Sequence, residues 1–361
     1  MLTLVAPGPR SPEHKLIGRA TQVVFVTEDV LAKFREWRQR GVRFRHSPRL
    51  RRVKYERGAK AGPAADSGSP SREPAPVWGG VFTRFEDIDG NSFALVSFDE
   101  ESRAVEAQRR AAAEKRESER RASHELEIAR QVQARLFPQR LPRSTTLDYA
   151  GLCIQARRVG GDYYDFLDLG EERIGFVVGD IAGKGMAAAL LMANLQANLR
   201  SQVAAALHEP ERFLRSVNQL FFENTADSDY ATLFFAEYDD RERRLRYANC
   251  GHLGGLLLRG DGTLERLVTT GTVLGLFEAW ECSIGERRLA PGDLFVLYTD
   301  GVTEAHHRNQ PMFGQDRLIE VIREVPGDVD TVADAILAAV TSYGPAEPRD
   351  DVAVVVGQIE A

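Results

Sequence analysis

The spacing of apolar positions divides the chain into a short first segment, a long polar helix and a larger second segment. In the first segment, alternation predicts a strand at 21–26, and an apolar helical face of Leu31, Phe34 and Trp37 predicts a helix at 30–40. A return strand at 42–45 and a mobile loop at 59–76, rich in Ala, Gly, Pro and Ser, come next. Two strands joined by an Asp-Gly-Asn turn then complete the predicted order β-α-β-β-β.

The middle of the chain has the composition of a solvated helix. Residues 99–137 are rich in Ala, Glu and Arg and contain neither Gly nor Pro, and Pro138 ends the pattern. We predict a linker helix within 99–140 that is solvated in its first half and pairs in a homodimer near its C-terminal end. Only its last turns carry an apolar stripe, formed by Leu126, Ala129, either Val132 or Gln133, and Leu136.

The larger segment alternates short strands with turns from residue 147 onward. Helical spacing predicts two helices, at 187–206 and 213–225. The alternation also predicts a buried strand that ends at Asp300. The remaining predicted strands are 150–156, 163–169, 173–178, 231–238, 244–248, 255–259, 263–267 and 352–356.

Composition narrows the class of protein. The 361 residues carry a net charge of -6, which argues against nucleic acid as a partner, and no apolar stretch is long enough for a membrane span. The first ten residues lack the features of a signal peptide. Cys153, Cys250 and Cys282 are far apart and form no Cys-x-x-Cys pair. We therefore expect a protein of the reducing cytoplasm, without a structural zinc site.

Four carboxylates stand at predicted strand ends. Asp162 follows a Gly-Gly pair, Asp180 follows an apolar run, Asp300 ends a buried strand and Asp350 precedes the last strand. A single Gly-Asp pair is usually only a surface turn. Four converging carboxylates, however, would be very costly to bury without cations. Two divalent cations about 3.5 to 4 Å apart would balance this charge and activate a water. Oxygen ligands favour Mg²⁺ or Mn²⁺ over zinc.

Six strings of the larger segment resemble a known enzyme family. In chain order they are G-G-D-Y-Y-D-F, G-D-I-A-G-K-G-M, A-T-L-F-F, N-C-G-H, L-Y-T-D-G-V-T-E-A and D-D-V-A-V-V-V. Together they resemble the metal-dependent (PPM, type 2C) Ser/Thr protein phosphatases, in the bacterial sporulation stage II E branch. The resemblance covers about 126–359, including the helix that precedes the domain. It implies an α+β fold with an α-β-β-α sandwich at 141–361.

The resemblance also implies a role for each motif residue. Two Mn²⁺ or Mg²⁺ ions would be held, directly or through water, by Asp180, the backbone carbonyl of Ile181, Asp300 and Asp350. Asp162 would bind through water and orient the other ligands.

Other residues near these motifs have expected roles as well. Asp351 is expected to cap the last strand, and Asp165 and Asp168 are expected at the surface. The loop N-C-G-H-L-G-G lacks the prolines that the family often has, so we expect this loop to be looser than in the family. His252 in this loop either donates a proton to the leaving group or makes a structural hydrogen bond.

The first segment resembles a different family. Its string W-G-G-V-F-T-R-F-E-D-I-D-G-N-S-F-A-L is similar to one module of the vicinal-oxygen-chelate (glyoxalase-like) superfamily, here at 17–98. Metal-binding members usually have Glu where this chain has Ala94. The resemblance therefore implies a sensor or dimerisation module rather than a catalytic one. A small α+β domain without a ligand is the alternative.

Two other enzyme classes share fragments of these motifs. The Gly160-Gly161-Asp162 string also occurs in diguanylate cyclases, but the aromatic residues after it and the T-D-G and D-D motifs do not fit that class. Cys282, Gly285 and Arg288 have the spacing of a cysteine-phosphatase phosphate loop. That chemistry needs a helix N-terminus facing the phosphate, and the sequence predicts a turn into a strand instead.

The sequence thus predicts a phosphoserine/phosphothreonine protein phosphatase controlled by an N-terminal sensor. The family suggests that its substrate is a phosphorylated anti-sigma-factor antagonist of a bacterial partner-switching pathway. A non-catalytic scaffold that binds a phosphoprotein is the alternative, although such a protein need not keep all four carboxylates.

Overall fold

The structure, a computed structural model, describes residues 20–54, 77–203, 209–226, 228–307, 310–325, 327–345 and 348–360. The chain forms two compact units, 1–121 and 122–361. The loop predicted at 59–76 and the end of the helix predicted at 187–206 lie outside the described residues. None of the helices in the described ranges combines the length and the hydrophobicity needed to span a lipid bilayer.

The first unit contains a mixed sheet with one helix packed on it. The strand order is β1-β5-β4-β2, with β3 also paired to β4, and β1 runs parallel to β5. Strand β3 was not predicted, because four of its six residues are basic and hide the alternation. The elements are β1 (Ala20–Val26), α1 (Val30–Gln39), β2 (Arg43–Phe44), β3 (Arg49–Lys54), β4 (Val77–Glu86) and β5 (Ser92–Phe98).

Helix α1 is held on the sheet by aromatic side chains. Phe34 meets Phe44 edge-on at 4.6 Å between ring centroids, and Trp37 meets Phe85 at 5.1 Å. The prediction that Leu31 shares this face is wrong, since the side chain is 46% exposed. The glyoxalase-like resemblance of this unit stays a prediction.

The helix predicted within 99–140 is present as α2 (Glu100–Ala134), and the boundary between the units falls within it. Its role as a linker stays a prediction. Near its end the two candidates for the apolar stripe behave differently. Val132 is 57% exposed, whereas Gln133 is 5% exposed. The polar residue is therefore the one that faces inward.

The second unit is built from two five-stranded sheets. The first has the order β13-β10-β9-β8-β7, and the second has the order β12-β11-β14-β15-β6. The strands are β6 (Leu147–Ile154), β7 (Tyr163–Gly170), β8 (Arg173–Ile181), β9 (Ala231–Asp239), β10 (Arg244–Cys250), β11 (Gly255–Leu258), β12 (Leu264–Leu267), β13 (Gly285–Arg288), β14 (Leu294–Tyr298) and β15 (Val352–Ile359). The helices are α3 (Met186–Ser201), α4 (Pro210–Glu223), α5 (Asp300–Thr303), α6 (Gly314–Glu324) and α7 (Val329–Tyr343).

The apolar core of this unit forms three layers. One lies between the sheets, around Phe176, Phe234 and Phe295. A second lies between the first sheet and helices α3 and α4, and a third between the second sheet and helices α6 and α7. The predicted α-β-β-α sandwich is confirmed. Helices α5, α6 and α7 and strand β13 were not predicted.

Candidate metal centre

The four aspartates singled out from the sequence come from strand ends of both sheets. In the first sheet, Asp162 directly precedes β7 and Asp180 lies next to the end of β8. In the second sheet, Asp300 opens the short helix α5 after β14, and Asp350 lies two residues before β15. The chain therefore places carboxylates from both layers of the sandwich near one another.

Asp162 joins the two sheets. Its carboxylate accepts a hydrogen bond of 2.6 Å from the Thr299 hydroxyl, and that hydroxyl accepts one of 2.9 Å from the backbone N–H of Ala353. The side chain is only 2% exposed. Asp162 is thus held rigidly at the interface between the layers.

Asp351 secures the loop that leads to Asp162. One carboxylate oxygen accepts from the N–H of Ala156 at 2.7 Å, and the other accepts from the N–H of Gly161 at 2.8 Å. A Cβ on Gly160 would lie 1.8 Å from this second oxygen, so only glycine fits there. The expectation that Asp351 caps its own strand is therefore wrong, because its partners lie in the loop between β6 and β7.

Gln133 of the linker helix holds the same loop from the other side. Its amide nitrogen donates to the carbonyl of Gly160 at 2.7 Å, and its amide oxygen accepts from the N–H of Gly160 at 3.2 Å. All of these groups are buried. The helix is thereby tied to a backbone position two residues before Asp162. The sequence signal for this role was weak, a single polar residue at an inward helical position.

Burial and mutual repulsion destabilise the charged forms of three of the aspartates. Burial, then the charge of Asp180, raises the pKa of Asp162 well above its usual value. Burial and then Asp300 raise the pKa of Asp180 to about 7. Burial and then Asp350 raise the pKa of Asp300. Within the described chain, no Lys, Arg or His forms an ion pair with any of these three.

Asp350, in contrast, has a cationic partner. The ammonium group of Lys184, in the turn before α3, lies 2.5 Å from its carboxylate and also donates to the carbonyl of Arg349 at 3.3 Å. The hydrogen bond to Asp350 is the largest of the effects that raise the pKa of Lys184. Lys184 thus supplies positive charge at the edge of the cluster.

The donor set fits a hard divalent cation. Among the described residues, no three His, Cys, Asp or Glu side chains are arranged around one ion position. Mg²⁺, however, is usually bound through one or two carboxylates and keeps several waters. The Ile181 carbonyl oxygen lies 3.0 Å from the place that a Gly161 Cβ would occupy, so glycine at this position leaves the space in front of this oxygen open. Carboxylates with raised pKa values and a backbone oxygen therefore match the chemistry of Mg²⁺ or Mn²⁺.

His252 is fully engaged in structural hydrogen bonds. Its Nε2–H donates to the carbonyl of Tyr298 at 3.0 Å, so its Nδ1 accepts from the Thr232 hydroxyl at 2.7 Å. Burial lowers the pKa of the imidazole to about 4, against the opposing effect of the Tyr298 carbonyl. Of the two roles considered from the sequence, the structure shows the structural one, which joins β9 and β14.

The prediction for Asp165 is wrong, whereas Asp168 is exposed as expected. Asp165 is completely buried, and Arg200 binds both of its oxygens at 2.7 Å. The Tyr163 hydroxyl donates to the same carboxylate. Alternation in β7 would place residues 163 and 165 on one face, which was the available signal.

The two rejected enzyme classes remain excluded on geometry. Gly285 and Arg288 lie in strand β13, so the Cys282 segment does not lead into a helix N-terminus. Gly160, Gly161 and Asp162 form the loop that joins β6 of one sheet to β7 of the other, and Asp351, next to β15, binds this loop.

Comparison with known proteins identifies relatives of the second unit. The family model described as stage II sporulation protein E (SpoIIE) matches residues 170–360. The phosphoserine phosphatase RsbU of Bacillus subtilis (strain 168) is 32% identical over 186 residues, which are 51% of this chain and 55% of that protein. This chain therefore spans about half the length of that curated relative.

Solved structures agree in fold. The RsbU and RsbW domains of a Mycobacterium tuberculosis protein share 26% identity, with a TM-score of 0.52, over 61% of this chain and 62% of that one. The SiaA-PP2C domain of Pseudomonas aeruginosa superposes with a TM-score of 0.58 at 21% identity, over 67% of this chain and 98% of that domain. The second of these shows similarity of fold alone.

Proposed function

Because the chain belongs to the stage II sporulation protein E family, we propose that it is a metal-dependent phosphoserine/phosphothreonine protein phosphatase. The observation that carries the proposal is the cluster of Asp162, Asp180 and Asp300, whose pKa values are all raised by burial and by neighbouring carboxylates. Such a cluster is costly unless cations bind to it. The name of the Bacillus subtilis relative, a phosphoserine phosphatase, supports the same reaction.

The proposed ligands of two Mn²⁺ or Mg²⁺ ions are Asp180, the Ile181 carbonyl, Asp300 and Asp350, with Asp162 acting through water. When bound, the ions would supply a nucleophilic water near neutral pH and neutralise charge on the phosphoryl group. Asp162, fixed by Thr299, would orient that water. When Asp350 binds a metal ion, Lys184 would give up its ion pair with Asp350 and would remain close enough to attract the phosphoryl group.

We further propose that the substrate is a phosphorylated anti-sigma-factor antagonist. The relatives named phosphoserine phosphatases RsbU and RsbP support this choice. A cytoplasmic location belongs to the same proposal, and the three free cysteines are consistent with a reducing compartment.

Control of the enzyme is proposed to act through a domain arrangement of sensor 17–98, linker 99–140 and phosphatase 141–361. The bidentate bond between Gln133 and Gly160 supports it, because a turn of the helix would displace the loop before Asp162. The side chains of Leu136 and Phe137 also pack against the core that contains α3. Pairing of two chains through the linker and the N-terminal module is part of this proposal.

The test is hydrolysis of para-nitrophenyl phosphate by the full chain with Mn²⁺, with Mg²⁺ and with EDTA. We expect turnover that requires metal and falls about a thousandfold or more in Asp300→Asn, since the ions stabilise the transition state by several kcal/mol. Asp168→Asn, which alters an exposed carboxylate of the same unit, should keep full activity.

The alternative function is a scaffold that binds a phosphoprotein without hydrolysing it. The full set of four carboxylates argues against this alternative. Absence of turnover with either metal, on aryl phosphate and on a phosphoserine protein alike, would contradict the phosphatase proposal and favour the scaffold.

A further inference from the structure

A cavity of about 210 Å³ opens beside the carboxylate cluster of the second unit. Its wall is apolar where Leu337 and Val340 of α7 face Ala305, and its rim carries Lys184, Arg349 and Asp350. Gly301, the residue after Asp300, also lines it. An apolar cavity thus adjoins the two aspartates of the second sheet that are proposed to bind metal.

The guanidinium of Arg349 is held in place at this rim without being neutralised. Its Nη1 donates to His306 Nε2 at 2.8 Å. Since Nε2 accepts, the Nδ1–H of His306 donates to the carbonyl of Glu304 at 2.7 Å. Within the described part of the chain, no carboxylate forms an ion pair with Arg349. Its positive charge is therefore oriented and available for an anion.

We propose that this cavity binds an apolar side chain next to the phosphoserine of the protein substrate, while Arg349 binds the phosphoryl group. The inference rests on the proposed phosphatase function. At about 210 Å³ the cavity is smaller than the roughly 300–1,000 Å³ of sites for drug-sized molecules. It suits one aliphatic side chain. The cationic rim matches a phosphorylated segment in charge.

His306 acts in this arrangement as a positioning residue. The imidazole between the Glu304 carbonyl and Arg349 sets the direction of the guanidinium and adds no negative charge. A carboxylate in that place would compete with the phosphoryl group for Arg349. The rim therefore favours substrates whose phosphate and apolar side chain lie close together along one segment.

The test uses synthetic phosphoserine peptides in which Leu or Ala is placed in turn at each of the three positions on either side of phosphoserine. With the full chain and Mn²⁺, we expect kcat/KM to be about tenfold higher for Leu at one position, through KM. Leu337→Trp, which fills the cavity, should abolish that preference and leave turnover of para-nitrophenyl phosphate unchanged. Val321→Trp, a partly buried position on α6 outside the cavity, is the matched control.

Arg349→Gln tests the contribution of the cationic rim separately from that of the apolar wall. We expect KM to rise roughly tenfold or more for the peptides and for the aryl phosphate alike, because both carry a phosphoryl group. Arg349→Lys keeps a positive charge in the form of a compact ammonium group, so KM should rise less than in Arg349→Gln. The control Arg323→Gln, whose guanidinium donates to the Gly262 carbonyl at 3.5 Å, should have no effect.

Equal kcat/KM for Leu and Ala at every position, or a Leu preference that survives in Leu337→Trp, would overturn the proposal. If no metal supports turnover of any substrate, the phosphatase proposal fails by itself. Peptide binding measured by fluorescence anisotropy then tests the cavity. Tighter binding of a Leu peptide than of its Ala counterpart, lost in Leu337→Trp, supports the cavity, and equal binding contradicts it.

Discussion

Carboxylates are removed from solvent in two regions of the second unit, and the two regions differ in the donors that surround these groups. At the metal centre, burial and neighbouring carboxylates raise the pKa values of Asp162, Asp180 and Asp300. Elsewhere, each buried carboxylate has dedicated donors. Asp165 binds Arg200, and Glu237 binds Arg246 at 2.6 Å and Arg173 at 3.2 Å.

Asp240 shows how strongly donors can reverse the effect of burial. Burial by itself would raise its pKa, but hydrogen bonds from the hydroxyls of Ser144 and Thr146, together with those from Thr145, lower it to about 2. The regions therefore differ in the supply of partners as well as in burial, since Asp180 and Asp300 are only partly buried. The fold gives strong donors to a carboxylate that only stabilises it, whereas at the metal centre Asp162 receives one hydroxyl hydrogen bond and, within the described residues, none of the three aspartates forms an ion pair.

The largest expected effect on stability comes from Asp165→Asn. The change removes the buried carboxylate that accepts hydrogen bonds from Arg200 and from the Tyr163 hydroxyl, so we expect the free energy of unfolding in urea to fall by about 2–3 kcal/mol. In EDTA at pH 8, Asp180→Asn should instead raise the free energy of unfolding, because it removes a negative charge that the neighbouring carboxylates repel. Asp334→Asn, an exposed position on α7, is the neutral control. Equal destabilisation by Asp165→Asn and Asp180→Asn would refute the distinction between the regions.

A smaller effect is expected from Gln133→Ala. The change leaves the buried N–H and carbonyl of Gly160 without partners, at a cost of about 1–3 kcal/mol. The loop before Asp162 should loosen, so the Mn²⁺ concentration for half-maximal activity should rise roughly tenfold. Gln131→Ala alters an exposed residue of the same helix and should change nothing. Matching metal titrations for the two variants would show that the helix does not position the loop.

His252 should affect stability only in acid. Its folded-state pKa of about 4 lies below the usual value near 6.5, so the unfolded chain binds the proton more readily. The contribution of the His252 imidazole to the free energy of unfolding is complete above pH 6.5. It is lost as the pH falls from 6.5 towards 4, by at most about 1.4 kcal/mol per pH unit.

His252→Gln should therefore flatten the dependence of the unfolding free energy on pH in this window. His124→Gln, on an exposed stretch of α2, should leave the slope of the native protein unchanged. Urea unfolding of the three proteins at pH 7, 6 and 5 measures the difference. An unchanged slope in His252→Gln would mean that the imidazole is not held neutral.

The sequence by itself determined the order of most strands and the four aspartates at their ends, because alternation and turn residues act over a few neighbouring positions. It also indicated the sandwich, through motifs in a fixed order. It did not predict β3, β13, α5, α6 and α7. Helix α5 is a single turn, α6 and α7 lie outside those motifs, and basic residues hide the alternation of β3 and β13.

Only the tertiary structure decided which polar groups meet. Asp351 binds the backbone of Gly161, 190 positions away in the sequence, and Lys184 binds Asp350 across 166 positions. Asp165 became a buried partner of Arg200, and Gln133 rather than Val132 turned inward. Local pattern contains no information on these pairs. They form because two sheets and their helices pack in one particular register, and burial then makes each unpaired group costly.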